Sequence, residues 1–173
     1  MDLLEFTTVV NRAGSGFGFA ATAVPALFIK AKTKSWHTLK DRTIWQPWAY
    51  AFVVLVLASA VSGGLIKKLS NGFTGTGNVA GQAIGAAAIG QSGDGALTVS
   101  FGQVMSYGGG WIVLVCVLGL GFFVWFADSW GTRALYLAGA VTGSTWGITS
   151  ALGGWAAMLF IPLFSWISDM VIG

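Results

Sequence analysis

The chain is 173 residues long, 55% apolar and only 9% charged, with a mean hydropathy of +0.75. An ordinary globular domain carries about 25% charged residues, so this composition excludes a conventional water-exposed surface and points to an integral membrane protein. The net charge of +3 does not argue for nucleic acid, because five of the nine basic residues share one short segment beside an apolar run, and the single Cys116 excludes a disulfide framework or a cysteine metal cluster.

The opening Met1-Asp-Leu-Leu-Glu-Phe lacks the basic and apolar regions of a secretory signal, so it is expected to stay in the mature protein. Leu3, Phe6 and Val10 at helical spacing, among Asp2, Glu5 and Arg12, predict a short amphipathic helix at the interface. Ala13 to Ile29 is uncharged but rich in Gly and Ala, and it contains Pro25. At about 17 residues it stands at the lower limit for crossing a bilayer, so a span and a re-entrant segment both stay open.

Lys30, Lys32, Lys34, His37, Lys40 and Arg42 follow, with Trp36 among them. Basic loops stay on the cytoplasmic side, and residues 30–42 are expected there. The same lysines with Trp36 suit anionic lipid headgroups, but setting topology is the preferred role. Residues 1–42 are therefore read as an amphipathic or re-entrant segment plus a basic cytoplasmic loop, and residues 43–173 as a polytopic transmembrane domain.

Thr43 to Ile66 carries no charge, and its core from Trp48 to Ile66 predicts the clearest transmembrane helix, opened by Trp45, Pro47 and Trp48. Lys67 and Lys68 then fall on the far side. Residues 69–110 change to Gly, Ser, Thr, Asn and Gln, and both Asn71-Gly-Phe-Thr-Gly-Thr-Gly and Gln91-Ser-Gly-Asp-Gly are strong turn signals. A Gly-rich non-cytoplasmic loop is expected here, between the first two confident spans. Within it a small-residue helix is predicted from Asn78 to Gln91, and the alternation of Leu97, Val99 and Phe101 predicts a short strand.

Trp111 to Ala127 predicts the second confident span, and Asp128 with Arg133 brackets a tight cytoplasmic connection. The uncharged run from Ala134 to Ser168 is about twice the length of one span. Ser150-Ala-Leu-Gly-Gly predicts a hairpin inside it, between spans at Leu135 to Thr149 and Trp155 to Ile172, with Pro162 kinking the last. The expected fold class is an all-α membrane protein with about four transmembrane helices, in a range of three to five, packed through small residues.

Two glycine ladders support that packing: Gly77, Gly81 and Gly85, then Gly139, Gly143 and Gly147 with Ala151 next. Spacing by four places small residues on one side of a helix, where another backbone can approach closely. Beside the second ladder Thr142, Thr145 and Thr149 form a stripe that reads either as the lining of a wet pore or as a packing surface, the latter preferred.

Catalytic chemistry finds few groups. His37 lies among lysines, Glu5 is the sole glutamate, and no metal-ligand spacing occurs in the sequence. Neither an enzyme nor a bound cofactor or metal is expected. Gly75-Thr-Gly-Asn-Val-Ala-Gly81 has its third glycine one residue late for a dinucleotide loop and no preceding apolar strand, and Gly93-Asp-Gly95 is a turn with a lone carboxylate. The two confident spans contain no ionisable residue to mark a proton or cation path.

In general style the chain resembles phage holins, conjugation-pore subunits and hydrophobic subunits of secretion machines, without a motif that matches residue by residue. The expected function is that of a small membrane protein that self-associates or docks into a larger membrane assembly, as a structural or pore-forming subunit. Its expected partners are the bilayer, further copies or other membrane subunits, and anionic headgroups, but not nucleic acid. The alternative is a small solute carrier with its site at a discontinuous helix near Ala13 to Ile29.

Overall fold

The computed structural model describes residues 10–91, 93, 95–97, 106–149 and 154–171. The expected helix around Leu3 and Phe6, the strand positions Val99 and Phe101, and the hairpin at 150–153 with Ala151 lie outside the described residues. Among the described residues the regular structure is helical: α1 (Arg12–Thr33), α2 (Arg42–Ala60), α3 (Gly64–Ile89), α4 (Tyr107–Trp125), α5 (Trp130–Ser144) and α6 (Gly154–Val171), with 3-10 turns at His37–Lys40 and Trp146–Ile148. Three of these, α1, α2 and α4, are long and apolar enough to cross a membrane. At 1.5 Å per residue they reach about 28–33 Å, against a hydrocarbon core of about 30 Å.

Helix α1 starts where Asn11 caps it, its side chain accepting from Gly14 N at 2.6 Å. The next two unpaired donors, Arg12 N and Ala13 N, reach Gly95 O and Gly93 O at 3.0 and 3.2 Å, and Leu97 N returns a bond to Val10 O at 2.8 Å. A stretch of chain from beyond α3 thus closes the start of α1. The helix is continuous through Pro25, so Ala13 to Ile29 is one helix and not a re-entrant turn. Lys30 and Lys32 lie in its last turn, where cations complement the exposed carbonyls, and Lys34 ends it in the left-handed region at φ 55°. The connection to α2 is accordingly shorter than the basic cluster.

Helix α2 begins with Asp41 accepting from Thr43 N and ends at Ala60 instead of Ile66. Val54 to Ala60 is buried throughout, making this the central helix of the bundle. Gly64, at φ +78°, turns the chain into α3. Here lies the main correction to the sequence reading, because α3 runs unbroken for 26 residues through Lys67, Lys68 and the whole Asn71-to-Gly77 segment expected as a loop. Turn preference is a local tendency worth about 1 kcal/mol per glycine against helix. In α3 it is outweighed by packing: Gly77 in this segment and Gly81 one turn on lie against Thr145 and Ala13, although a Cβ on Gly72 would meet nothing within 4 Å. Thr74 and Thr76 also return their hydroxyls to Ser70 O and Gly72 O within the helix.

Helices α2 and α4 are antiparallel: Val61 and Ser62 lie beside Ser106 and Tyr107 at one end, and Tyr50 donates to Cys116 O at 2.9 Å further along. Helix α5 instead runs parallel to α2, with Gly139 against Trp48 and Gly143 against Phe52. It stops at Ser144, short of the predicted Thr149, and its 15 residues reach only about 22 Å. Helix α6 carries a shorter apolar stretch, Met158–Val171. Among the described residues three helices are both long and apolar enough to span, against the expected three to five. Their outward faces, including Phe19, Val24 and Phe28 on α1 and Val115, Leu118 and Phe122 on α4, are exposed large apolar side chains.

Candidate functional site: a buried hydroxyl seam and a basic end

Helix α5 organises the interior. Ser129 caps it through Thr132 N, and its small face, Gly139, Ala140 and Gly143, is buried. A Cβ on Gly139 or Gly143 would collide with the backbone carbonyls of Trp48 or Phe52, so these glycines let α2 and α5 approach backbone to backbone. The adjoining face carries Thr142, Ser144 and Thr145, and with Thr149 beyond the helix all four are fully buried.

Each hydroxyl in this seam has a partner. Trp48 Nε1 donates to Thr22 Oγ1 at 3.2 Å, Thr22 and Thr142 share a bond of 2.9 Å, and Thr142 reaches Ala138 O at 2.7 Å and Gly18 O at 3.0 Å. An indole can only donate, so one consistent order runs from Trp48 through Thr22 to Thr142 and on to a carbonyl. Thr145 donates to Val141 O and Thr149 to Trp146 O. Thr145 also leaves the helix, at φ −112° and ψ −76°, and Ser144 O is taken by Thr74 of α3 at 2.8 Å. Among the described residues a helix thus breaks at Ser144–Thr145, whereas α1 is continuous.

The first ladder divides. Gly77 packs on Thr145 and Gly81 on the backbone of Ala13, whereas Gly85 faces Gln91 O in its own C-terminal turn. Gly147 lies in the 3-10 turn after α5. Sequence reasoning missed Gly14, which a Cβ would drive into Asn78, and Gly18, which it would drive into Thr145. The signal existed, since Gly14, Gly18 and Thr22 repeat the four-residue spacing.

At the opposite end of the bundle sits the basic cluster. Lys30 Nζ lies 3.9 Å from the centroid of the Trp36 ring, a cation–π contact, while Lys32, Lys34, Lys40 and Arg42 are exposed along with Trp36 and Trp45. Arg42 and Thr132 line one groove, which places Arg133 at this end too. Among the described residues no group of three or more His, Cys, Asp or Glu side chains gathers as a metal site. The seam is neutral and internally satisfied, so what it does chemically is hold α1, α3 and α5 in register. The chain matches no family model, and no curated protein or solved structure is significantly similar to it.

Proposed function

We propose that this chain is a small integral membrane protein that self-associates or docks into a larger membrane assembly as a structural or pore-forming subunit. The observation that carries the reading is α3. It is too polar to count among the spanning helices, yet it is helical for 26 residues. Ser70, Thr74, Gly77, Asn78 and Gly81 are buried within the chain, whereas Thr76, Val79, Ala83 and Ala87 are uncovered. This face is mostly small, with Val79 and Ile84 as its larger exposed side chains, and small residues gain little from lipid and more from the close approach of another helix.

The glycines of α5 are already occupied by α2, so association falls to α3. A lumen, if the assembly encloses one, is not lined by Thr142, Thr145 and Thr149, which are buried inside the protomer. The carrier alternative has no broken helix at Ala13 to Ile29 to support it, because α1 is continuous. Native mass spectrometry of the detergent-extracted complex tests the proposal. Several copies, or stable co-purifying membrane subunits, are expected for the parent, and Ala83→Trp should reduce the mass to one chain while leaving helicity intact. A parent protein extracted as a lone chain would overturn it.

A further inference from the structure

We infer that the groove between α3, α4 and α5 binds an anionic phospholipid, with an acyl chain against its apolar walls and the phosphate at Arg133. Helices α4 and α5 are consecutive but diverge, leaving a space of about 620 Å³ walled by Phe73, Leu120, Val124, Leu137 and Ala140. That is within the range of about 300–1,000 Å³ usual for small-ligand sites. Gly121 keeps one wall low, since a Cβ there would meet nothing within 4 Å.

One end of this apolar groove is cationic. Arg133 is fixed by donating from Nε to Ala127 O at 3.2 Å and from Nη2 to Trp125 O at 3.4 Å, and it lies 5.4 Å from the Trp130 ring centroid. A guanidinium has five N–H donors, so these two bonds position it without exhausting it. No acidic side chain is among the groove's described lining residues. Arginine pairs with phosphate oxygens through two parallel bonds, and the exposed Trp125 and Trp130 suit the headgroup level of a bilayer. An apolar channel ending in a held arginine complements a lipid with a negative headgroup better than a zwitterionic one. The inference rests on the membrane placement of α4 and not on self-association.

The test uses the full chain in detergent, with phosphatidylglycerol and phosphatidylcholine of identical acyl chains added and retention read by native mass spectrometry. Phosphatidylglycerol should be retained about five-fold more than phosphatidylcholine, as one arginine at a headgroup supplies. Arg133→Gln should erase the preference, and Gly121→Leu, which fills open space, should reduce retention of both lipids. The combined Lys30→Gln, Lys32→Gln and Lys34→Gln variant should keep the preference, separating this groove from the basic cluster. Equal retention of the two lipids by the parent, a preference that survives Arg133→Gln, or undiminished retention of both lipids by Gly121→Leu, would overturn the inference. A chain that alkaline carbonate strips from membranes would sink the membrane reading together with it, whereas a lone chain that still selects phosphatidylglycerol would sink self-association only.

Discussion

Thr142 and Thr149 are equally buried but differently bonded, and the difference predicts unequal costs. Thr142 joins α5 to α1 through Thr22 and Gly18 O, whereas the bond of Thr149 is to Trp146 O, three residues away. Thr142→Val should cost roughly 1–3 kcal/mol by leaving buried groups on α1 unsatisfied, and Thr149→Val about 1 kcal/mol or less. Unfolding in detergent measures both, and equal losses would contradict the seam's cross-helix role. The glycines make a second comparison. Gly143→Leu forces a side chain into the backbone of Phe52, which cannot yield as a flexible side-chain tip would, so a loss of about 1–3 kcal/mol or more is expected. Gly121→Leu meets open space and should stay within about 0.5 kcal/mol. Thermal midpoints that fall equally would refute close backbone approach as the reason for Gly143.

Among the elements, α2 and α4 were legible because each contains an apolar run longer than any soluble core requires, bounded by tryptophans. Their limits were less so: α2 starts at Arg42 because Asp41 caps it, and it yields Leu65 and Ile66 to α3 because Gly64 is left-handed. Helix α3 was hidden for a physical reason. Gly, Asn and Thr report turn propensity locally, and only the neighbours Ala13 and Thr145, distant in sequence, reveal that the same residues are packing contacts. The end of α5 was misplaced by similar logic, since the bond from Thr74 to Ser144 O that accompanies its early stop joins residues 70 positions apart. The start of α1 gives an element-scale prediction. Asn11→Ala removes the acceptor for Gly14 N and should cost about 0.5–2 kcal/mol. Because the 93–97 stretch bonds the same turn, amide exchange should quicken at Arg12, Ala13 and Leu97 together. Faster exchange at Gly14 alone would show that the cap and the strap are independent.

At the scale of the molecule, the bundle has two unlike ends. Lys30, Lys32, Lys34, Lys40, Arg42 and Arg133 share one, while Arg12, Lys67 and Lys68 lie toward the other, where α2 ends and α4 begins. Positive charge near membrane-spanning helices is retained on the cytoplasmic side, so the end holding six of the nine basic residues should face the cytoplasm. In a Cys116→Ala background, an impermeant maleimide applied from outside should modify Ser62→Cys and spare Lys34→Cys and Thr132→Cys. Modification of Lys34→Cys and Ser62→Cys from the same side would refute the arrangement. The imbalance itself can then be reversed. Replacing Lys30, Lys32, Lys34 and Lys40 with Gln leaves Arg42 and Arg133 at one end against Arg12, Lys67 and Lys68 at the other, so the charge bias changes sign without altering any apolar span. That variant should insert in mixed or inverted orientation, read as maleimide labelling at Thr132→Cys from outside. An unchanged labelling pattern would mean that the lysines do not set the orientation, and their exposed cluster around Trp36 would then require a different role.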